Sequence, residues 1–282
     1  MQRARSAHAP SYLALVSQVT RFALGIQYDG RPFSGWQRQR DVRTVQEELE
    51  TSLSRVADEE VRVYCAGRTD RGVHAIEQVV HFETLKTRPD RAWQLGTNAN
   101  LPSEIAVSWV KRVPEDFHAR FSALSRTYQY IILNQRARPA LWSGKVSWEF
   151  EALDVEKMQL AANYWLGEHD FSSFRAAGCQ SKTPFRCVEY FRVERRLEYV
   201  VISVCANAFL QHMVRNFVGV LVEIGRCRKD PAWALEVLNS KRREAAGKTA
   251  SPDGLYLVAV KYPELFQMPS TTCSFPPVLS FR

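Results

Sequence analysis

The sequence has no apolar run approaching the roughly 20 residues that a membrane helix needs, so a bilayer-spanning chain is not expected. Its six cysteines (Cys65, Cys179, Cys187, Cys205, Cys227 and Cys273) include no Cys-x-x-Cys pair, and no His-x-x-x-His accompanies them. Neither a zinc centre nor a redox pair is therefore suggested, and the thiols read as reduced and mostly buried. Acidic residues are absent from the first 28 positions, where Tyr12 to Val16 forms a short apolar run behind Arg3 and Arg5. That pattern has something of a secretory or organellar leader, but the run is too short and lacks a small-residue cleavage site, so residues 1–20 read as a disordered extension. The far end, residues 266–282, has no period and reads as an irregular tail. With 45% hydrophobic and 24% charged residues, the 282-residue chain sits near the globular average, which excludes a mostly disordered or fibrous protein. There are 38 Lys and Arg against 30 Asp and Glu, a formal charge of +8. An anionic partner is compatible with that surplus but not required by it.

Between the ends, the segment from Arg21 to Gly30 reads as a strand running into turn chemistry at Asp29-Gly30. Thr44 with Glu47 forms a capping-box pattern ahead of Leu49, Leu53 and Val56 at helical spacing. Val61 to Ala66 and Gln78 to Phe82 read as strands. Past Pro114, Thr127 to Leu133 reads as a strand and Val155 to Leu166 as a helix. Val188 to Val193 and Tyr199 to Cys205 read as a hairpin. Gln211 to Ile224 is an amphipathic helix with a wide apolar face, Trp233 to Leu238 a shorter helix, and Leu255 to Val260 a closing strand. These elements imply an α+β fold of two similar lobes, residues 21–115 and 116–265, each an antiparallel sheet covered by helices, with a cleft between them.

The segment Cys65-Ala-Gly-Arg-Thr-Asp-Arg-Gly-Val-His-Ala75 concentrates the chemistry. Gly67 and Gly72 bracket Asp70 and place a carboxylate, flanked by Arg68 and Arg71, on a turn between two strand candidates. A nearby guanidinium favours an ionised carboxylate even in a partly dry pocket, and such a group can serve as nucleophile or base. The plainer reading is a tight turn in which Asp70 accepts backbone hydrogen bonds and both arginines face solvent.

This segment resembles the signature of the tRNA pseudouridine synthase A family, and the resemblance runs in order over about residues 21 to 262. Similar blocks are Gln27 to Gly30 with Gly35 to Gln37, Thr44 to Glu47, Phe117 to Ala123, Arg126 to Tyr130, Asp170 to Arg175, Phe209 to Asn216, Gly247 to Ala250 and Gly254 to Leu257. It implies an isomerase that turns uridine into pseudouridine in tRNA, at positions 38, 39 or 40 of the anticodon arm. Asp70 would act as the essential carboxylate, at C6 of the base or C1′ of the sugar. Tyr128 would be the active-site tyrosine, although a strand core residue fits the same pattern. Arg215 would pair with Asp70 from the other half of the chain, Arg68 would help extrude the nucleotide, and Leu255 would wall the uracil pocket. Arg71, His74, Arg126, Arg175 and Lys182 are read as substrate contacts, with Arg120 and Arg186 as further RNA-backbone candidates. His118 and His212 are read as structural or near RNA. The resemblance further implies no cofactor and no metal, a homodimer that shares each tRNA, and a cytoplasmic location. One departure stands out: the family's Thr-Ala-Pro-Ala stretch is here Thr249-Ala-Ser-Pro-Asp253, with proline one place later.

A tRNA-binding protein without catalysis would show the same basic balance but would not need an Asp set between arginines. A carboxylate-dependent hydrolase would need a second acid or a metal cluster at a partner position, and neither spacing is present.

Overall fold

The computed structural model describes residues 19–269; the leader-like run and most of the expected tail lie outside the described residues. The first half of the chain supplies β1 (Thr20–Tyr28), α1 (Val45–Ala57), β2 (Tyr64–Cys65), β3 (His74–Thr84), α2 (Asp90–Asn100) and β4 (Ile105–Val113). The second half supplies β5 (Ser125–Asn134), β6 (Ser147–Glu149), α3 (Val155–Asn163), β7 (Gly167–Asp170), β8 (Phe185–Arg196) and β9 (Tyr199–Ala206). Then come α4 (Met213–Gly225), α5 (Trp233–Ser240) and β10 (Leu255–Lys261). All strands join one sheet in the order β4-β1-β3-β10-β5-β9-β8-β7, with β2 beside β3 and β6 beside β5. Most pairs are antiparallel, so the expected α+β class with a helix-covered antiparallel sheet is what the chain forms.

Strand alternation builds the layers, because successive side chains point to opposite faces. Phe22, Leu24, Ile26 and Tyr28 of β1, Tyr128, Tyr130 and Ile132 of β5, and Val200, Ile202 and Val204 of β9 face one continuous core. All five helices cover it, through residues such as Leu49, Trp93, Met158, Phe217 and Val237. Ile131, Leu133, Tyr199 and Val201 face the other way into a smaller cluster with Tyr256. The last strand, β10, ties the halves together: it runs parallel to β3 at Tyr256 opposite His74 and antiparallel to β5 at Leu255 opposite Tyr130. Residues about 180 positions apart in sequence thus become neighbours at the end of β3 that follows the Asp70 loop. Among the described residues, no helix is long and apolar enough to cross a membrane.

Three local expectations are corrected by neighbours that sequence does not display. The Thr44 and Glu47 capping box does not form. The amides of Val45 and Gln46 donate instead to the carbonyls of Gly35 and Trp36, the Thr44 hydroxyl is buried without a partner, and Glu47 lies 3.8 Å from Arg38. The strand expected over Val61 to Ala66 shrinks to Tyr64–Cys65, because α1 side chains take the amides a strand partner would bind: Val61 donates to Ser54 Oγ and Val63 to Glu50 Oε1. The helix expected to reach Leu166 stops at Asn163, and Trp165 turns inward to stack on Phe217, its indole N–H donating to the Ala234 carbonyl at 3.2 Å.

Candidate active site

The loop between β2 and β3 is held on every side except at its carboxylate. Gln78, fully buried, braces Gly67 through both its amide and its carbonyl. Thr69 accepts the Trp36 amide at its carbonyl (3.0 Å) and meets the Tyr28 hydroxyl at its own (2.8 Å). Gly35 has φ +95, and a Cβ there would sit 3.0 Å from the Thr69 carbonyl, so only glycine lets the Gly35-Trp36 turn lie against the loop. Gly72, with φ +79, is packed by the Pro252 ring, so the proline that sits one place later than the family pattern is part of the loop's support. The resembling blocks around residues 28 and 36 and the displaced Pro252 therefore converge to fix one turn.

Asp70 is 27% exposed at its side chain, and α4 faces it from the other half. Arg215 Nη1 lies 3.7 Å and His212 Nε2 3.5 Å from Asp70, and both approach the same oxygen, Oδ2. His212, at φ +62, is the left-handed residue immediately before α4, and that turn aims its ring at the loop. Arg215 is locked by its Nε–H to the Ala250 carbonyl (2.8 Å), while the Ala250 amide returns a bond to the Arg215 carbonyl. Behind them Asn216, fully buried, donates to the Phe174 carbonyl and accepts from Thr249 and Arg243. One asparagine thus gathers three blocks that are far apart in sequence.

Gly219 makes this approach possible. A Cβ there would fall 1.9 Å from the Lys248 carbonyl, so α4 can lie against the 247–250 segment only through glycine. Gly219→Ala is expected to push the helix away at a cost of about 2 kcal/mol. That lowers the melting temperature by roughly 4–8 °C and loosens Arg215. An unchanged melting temperature would show that the helix has slack there.

The remaining expected residues divide by burial. Tyr128 is 8% exposed, its ring edge-on to Phe209 at 5.0 Å and its hydroxyl close to Gly67. Burial, and then the Asp70 charge, push its phenol above the ordinary range, so it stays a proton donor. Leu255 is buried against Tyr130 in register. Arg68 is exposed and reaches Gln180 Oε1 at 3.1 Å, and Arg71 is exposed. Arg175 binds the carbonyls of Cys179 and Ser181, Arg186 is buried on its own loop, and Lys182 is exposed.

Besides Arg186, two more expected RNA contacts sit inside the protein. Arg126, 8% exposed, donates to the carbonyls of Ala66, Ala123, Asn207 and Arg120, with none of these donors turned to solvent phosphate. His74, 1% exposed, stacks on Tyr256 at 4.6 Å, accepts the Gly30 amide at Nδ1 and lies 3.1 Å from the Gly144 carbonyl at Nε2. The sequence did not reveal this because a loop histidine next to an arginine has the same signature whether it faces in or out.

Burial, only partly offset by Asp29, pushes His74 down to about 4 from an ordinary 6.5. For Asp29 itself burial acts upward, but hydrogen bonds from Arg31 and Lys145 override it and hold the carboxyl below its usual range. Between pH 6.5 and 4 the unfolded His74 takes a proton that the folded one refuses, so stability falls as pH falls through that window. About 3 kcal/mol is expected to be lost there, measurable by urea unfolding at stepped pH. The His74 share should disappear in His74→Gln, leaving the part due to His81, which burial also lowers to about 4; a loss as steep as that of the wild type would place the titration elsewhere.

Comparison with known proteins fits this geometry. A family model described as tRNA pseudouridine synthase matches residues 25–122 and 161–263. The tRNA pseudouridine synthase A of Citrobacter koseri is 56% identical over 90% of this chain and 94% of its own length. The chain belongs to the tRNA pseudouridine synthase family. The tRNA pseudouridine synthase A of Enterobacter sp. (strain 638) is similarly near, at 57% identity over 89% of this chain and 93% of its own. A solved archaeal box H/ACA Nop10-Cbf5 complex overlaps with a TM-score of 0.32 at 11% identity over 71% of this chain and 42% of that one, too loose a likeness to argue from. Family blocks far apart in sequence, such as Phe209 to Asn216 and Gly247 to Ala250, meet at Asp70 or directly behind it, with Arg215 facing Asp70 as expected.

Proposed function

We propose that this synthase isomerises uridines at positions 38, 39 and 40 of the tRNA anticodon arm, with Asp70 as the attacking carboxylate. The observation that carries the reading is the convergence on Asp70: a partly exposed carboxylate on a tightly braced turn, met by Arg215 and His212 from α4. A carboxylate held in a fixed orientation can be presented to a reacting carbon. Attack at C1′ displaces N1 of the uracil, or attack at C6 forms an adduct that assists cleavage of the N1–C1′ bond. The uracil turns, C5 bonds to C1′, the bond to the Asp70 carboxylate breaks, the C5 proton leaves and N1 gains one, so atoms and electrons balance without a redox partner. Leu255 and the Tyr128 ring provide an apolar floor for an unstacked uracil, and the protonated Tyr128 hydroxyl near Gly67 is placed to move a proton.

Arg68, Arg71, Arg175 and Lys182 are the phosphate-facing groups of this reading, and Arg68 helps hold the extruded nucleotide. The enzyme acts as a cytoplasmic homodimer, for which light scattering at twice the chain mass is the test. Mapping of pseudouridine on an unmodified tRNA transcript should place it at 38 to 40; modification confined to another arm, or none, overturns the assignment. Tyr128→Phe is expected to bind tRNA normally and lose about 100-fold in kcat. Retention of full turnover would leave only the ring with a role.

A further inference from the structure

Next to the Asp70 loop lies a row of flat side chains that the catalytic site does not use. Tyr64 of β2 stacks on His81 of β3 (centroids 5.1 Å, 21° between planes), His81 meets His118 at 4.5 Å, and His118 meets Phe121 at 4.4 Å. The outer members are open: Tyr64 is 55% and Phe121 77% exposed, and the Arg120 guanidinium lies 5.6 Å from the Phe121 ring centre.

Exposure here is not looseness. The Ala119 amide donates to His81 Nδ1 at 3.1 Å, and the amides of Arg120 and Phe121 both donate to His118 Nδ1. The Ser122 amide closes the turn on the His118 carbonyl, and the His118 amide donates to Ser122 Oγ. Imidazoles that accept these amides are neutral, and burial lowers both histidines from their ordinary value, His81 to about 4. A large phenyl group held rigidly in water gains nothing for folding, whereas a fixed aromatic face is what a nucleobase needs.

The row is also joined to the catalytic loop. Arg126 clasps the Arg120 carbonyl and the Ala66 carbonyl with one nitrogen, Nη2, so the Phe121 turn and the strand leading to Asp70 share an anchor. Arg68 and Arg120 both act electrostatically on Cys65, so both guanidinium groups lie near that strand.

We infer that Tyr64, Phe121 and Arg120 form a stacking site for an unpaired base of the RNA substrate, separate from the pocket that holds the reacting uridine. The inference rests on the tRNA reading above and adds a second point of contact beside Asp70. Stacking supplies affinity with little sequence preference, and Arg120 adds a phosphate or cation–π contact. An A-form duplex, whose bases are not available as faces, would not use it.

The test is fluorescence anisotropy with an unmodified tRNA transcript, in the full chain carrying Asp70→Asn so that no turnover intervenes. Phe121→Ala is expected to weaken tRNA binding about tenfold, Tyr64→Leu severalfold, and Phe121→Trp to keep it at or above the starting affinity. Binding of a fully paired RNA duplex should be the same in all of them. Unchanged tRNA affinity in both Phe121→Ala and Tyr64→Leu overturns the inference, as does an equal loss for the duplex. A change of mass in light scattering on Phe121→Ala overturns it too, since the row would then be a contact between chains. Failure of the wild-type chain to modify tRNA would count against the functional reading alone, because the affinity comparison does not depend on turnover.

Discussion

Asp70→Asn is expected to lose nearly all pseudouridine formation while still folding and binding tRNA. The amide keeps the shape and the hydrogen-bonding reach of the carboxylate but is neither an effective nucleophile nor a base, so turnover is expected to fall about 10⁴-fold or more. Folding should be nearly untouched: Asp70 is partly exposed and its contacts with Arg215 and His212 are 3.7 and 3.5 Å long, and ion pairs of this kind contribute about 1 kcal/mol or less. Affinity should hold as well, because the basic groups around the loop are unchanged. Tritium release from tRNA labelled at uridine C5 gives the rate, and a melting curve checks the fold. Turnover near the wild-type level would remove Asp70 from the chemistry and leave the ordered loop without a catalytic purpose.

Arg126→Met is expected to destabilise the protein by about 4 kcal/mol, with the melting temperature falling by roughly 8–16 °C. Its guanidinium meets four carbonyl oxygens: Ala66 at 2.9 Å, Arg120 at 2.6 Å, Asn207 at 2.9 Å and Ala123 at 3.1 Å. Methionine can fill the volume but leaves those acceptors in a dry site without donors, and each unpaired group costs on the order of 1–3 kcal/mol. A loss of that size is a large part of the total stability of an ordinary domain. Activity should fall too, since Ala66 leads into the Asp70 loop. Arg126→Lys should recover only part of the stability, because an ammonium cannot span four acceptors in a plane. A variant that melts within about 2 °C of the wild type but loses tRNA affinity would return Arg126 to the RNA-contact role its sequence suggested.

Arg126 and Arg215 show how far sequence reaches. Both are arginines in blocks resembling the same family, and nothing in their local pattern separates a residue that clamps backbone carbonyls from one that faces a carboxylate. Their difference is set by partners at long separation: Ala66 and Asn207 for one, Asp70 and Ala250 for the other. His212 illustrates the reverse error. It reads as a bystander histidine, yet a left-handed turn before α4 swings it to 3.5 Å from Asp70. Histidine is among the residues enriched at positive φ, but such conformations are so uncommon that a lone histidine does not mark one.

The periodic signals were legible because they are local. The amphipathic stretch before Ile224 became α4, the apolar run after Arg21 became β1, and the Gly-bracketed Asp70 stood out as a turn between strands. Where a neighbour supplied the hydrogen bonds, local signals failed, as at Thr44 and over Val61 to Val63. Sequence by itself determined the layered α+β class, the positive surplus and the one carboxylate worth testing, since periodicity, composition and the order of motifs need no third dimension. Only the tertiary structure decided which arginines and histidines face that carboxylate and which are consumed by the backbone. That choice depends on β10 inserting between β3 and β5 and on α4 closing against residues 247–250 through Gly219, contacts whose partners lie far apart along the chain.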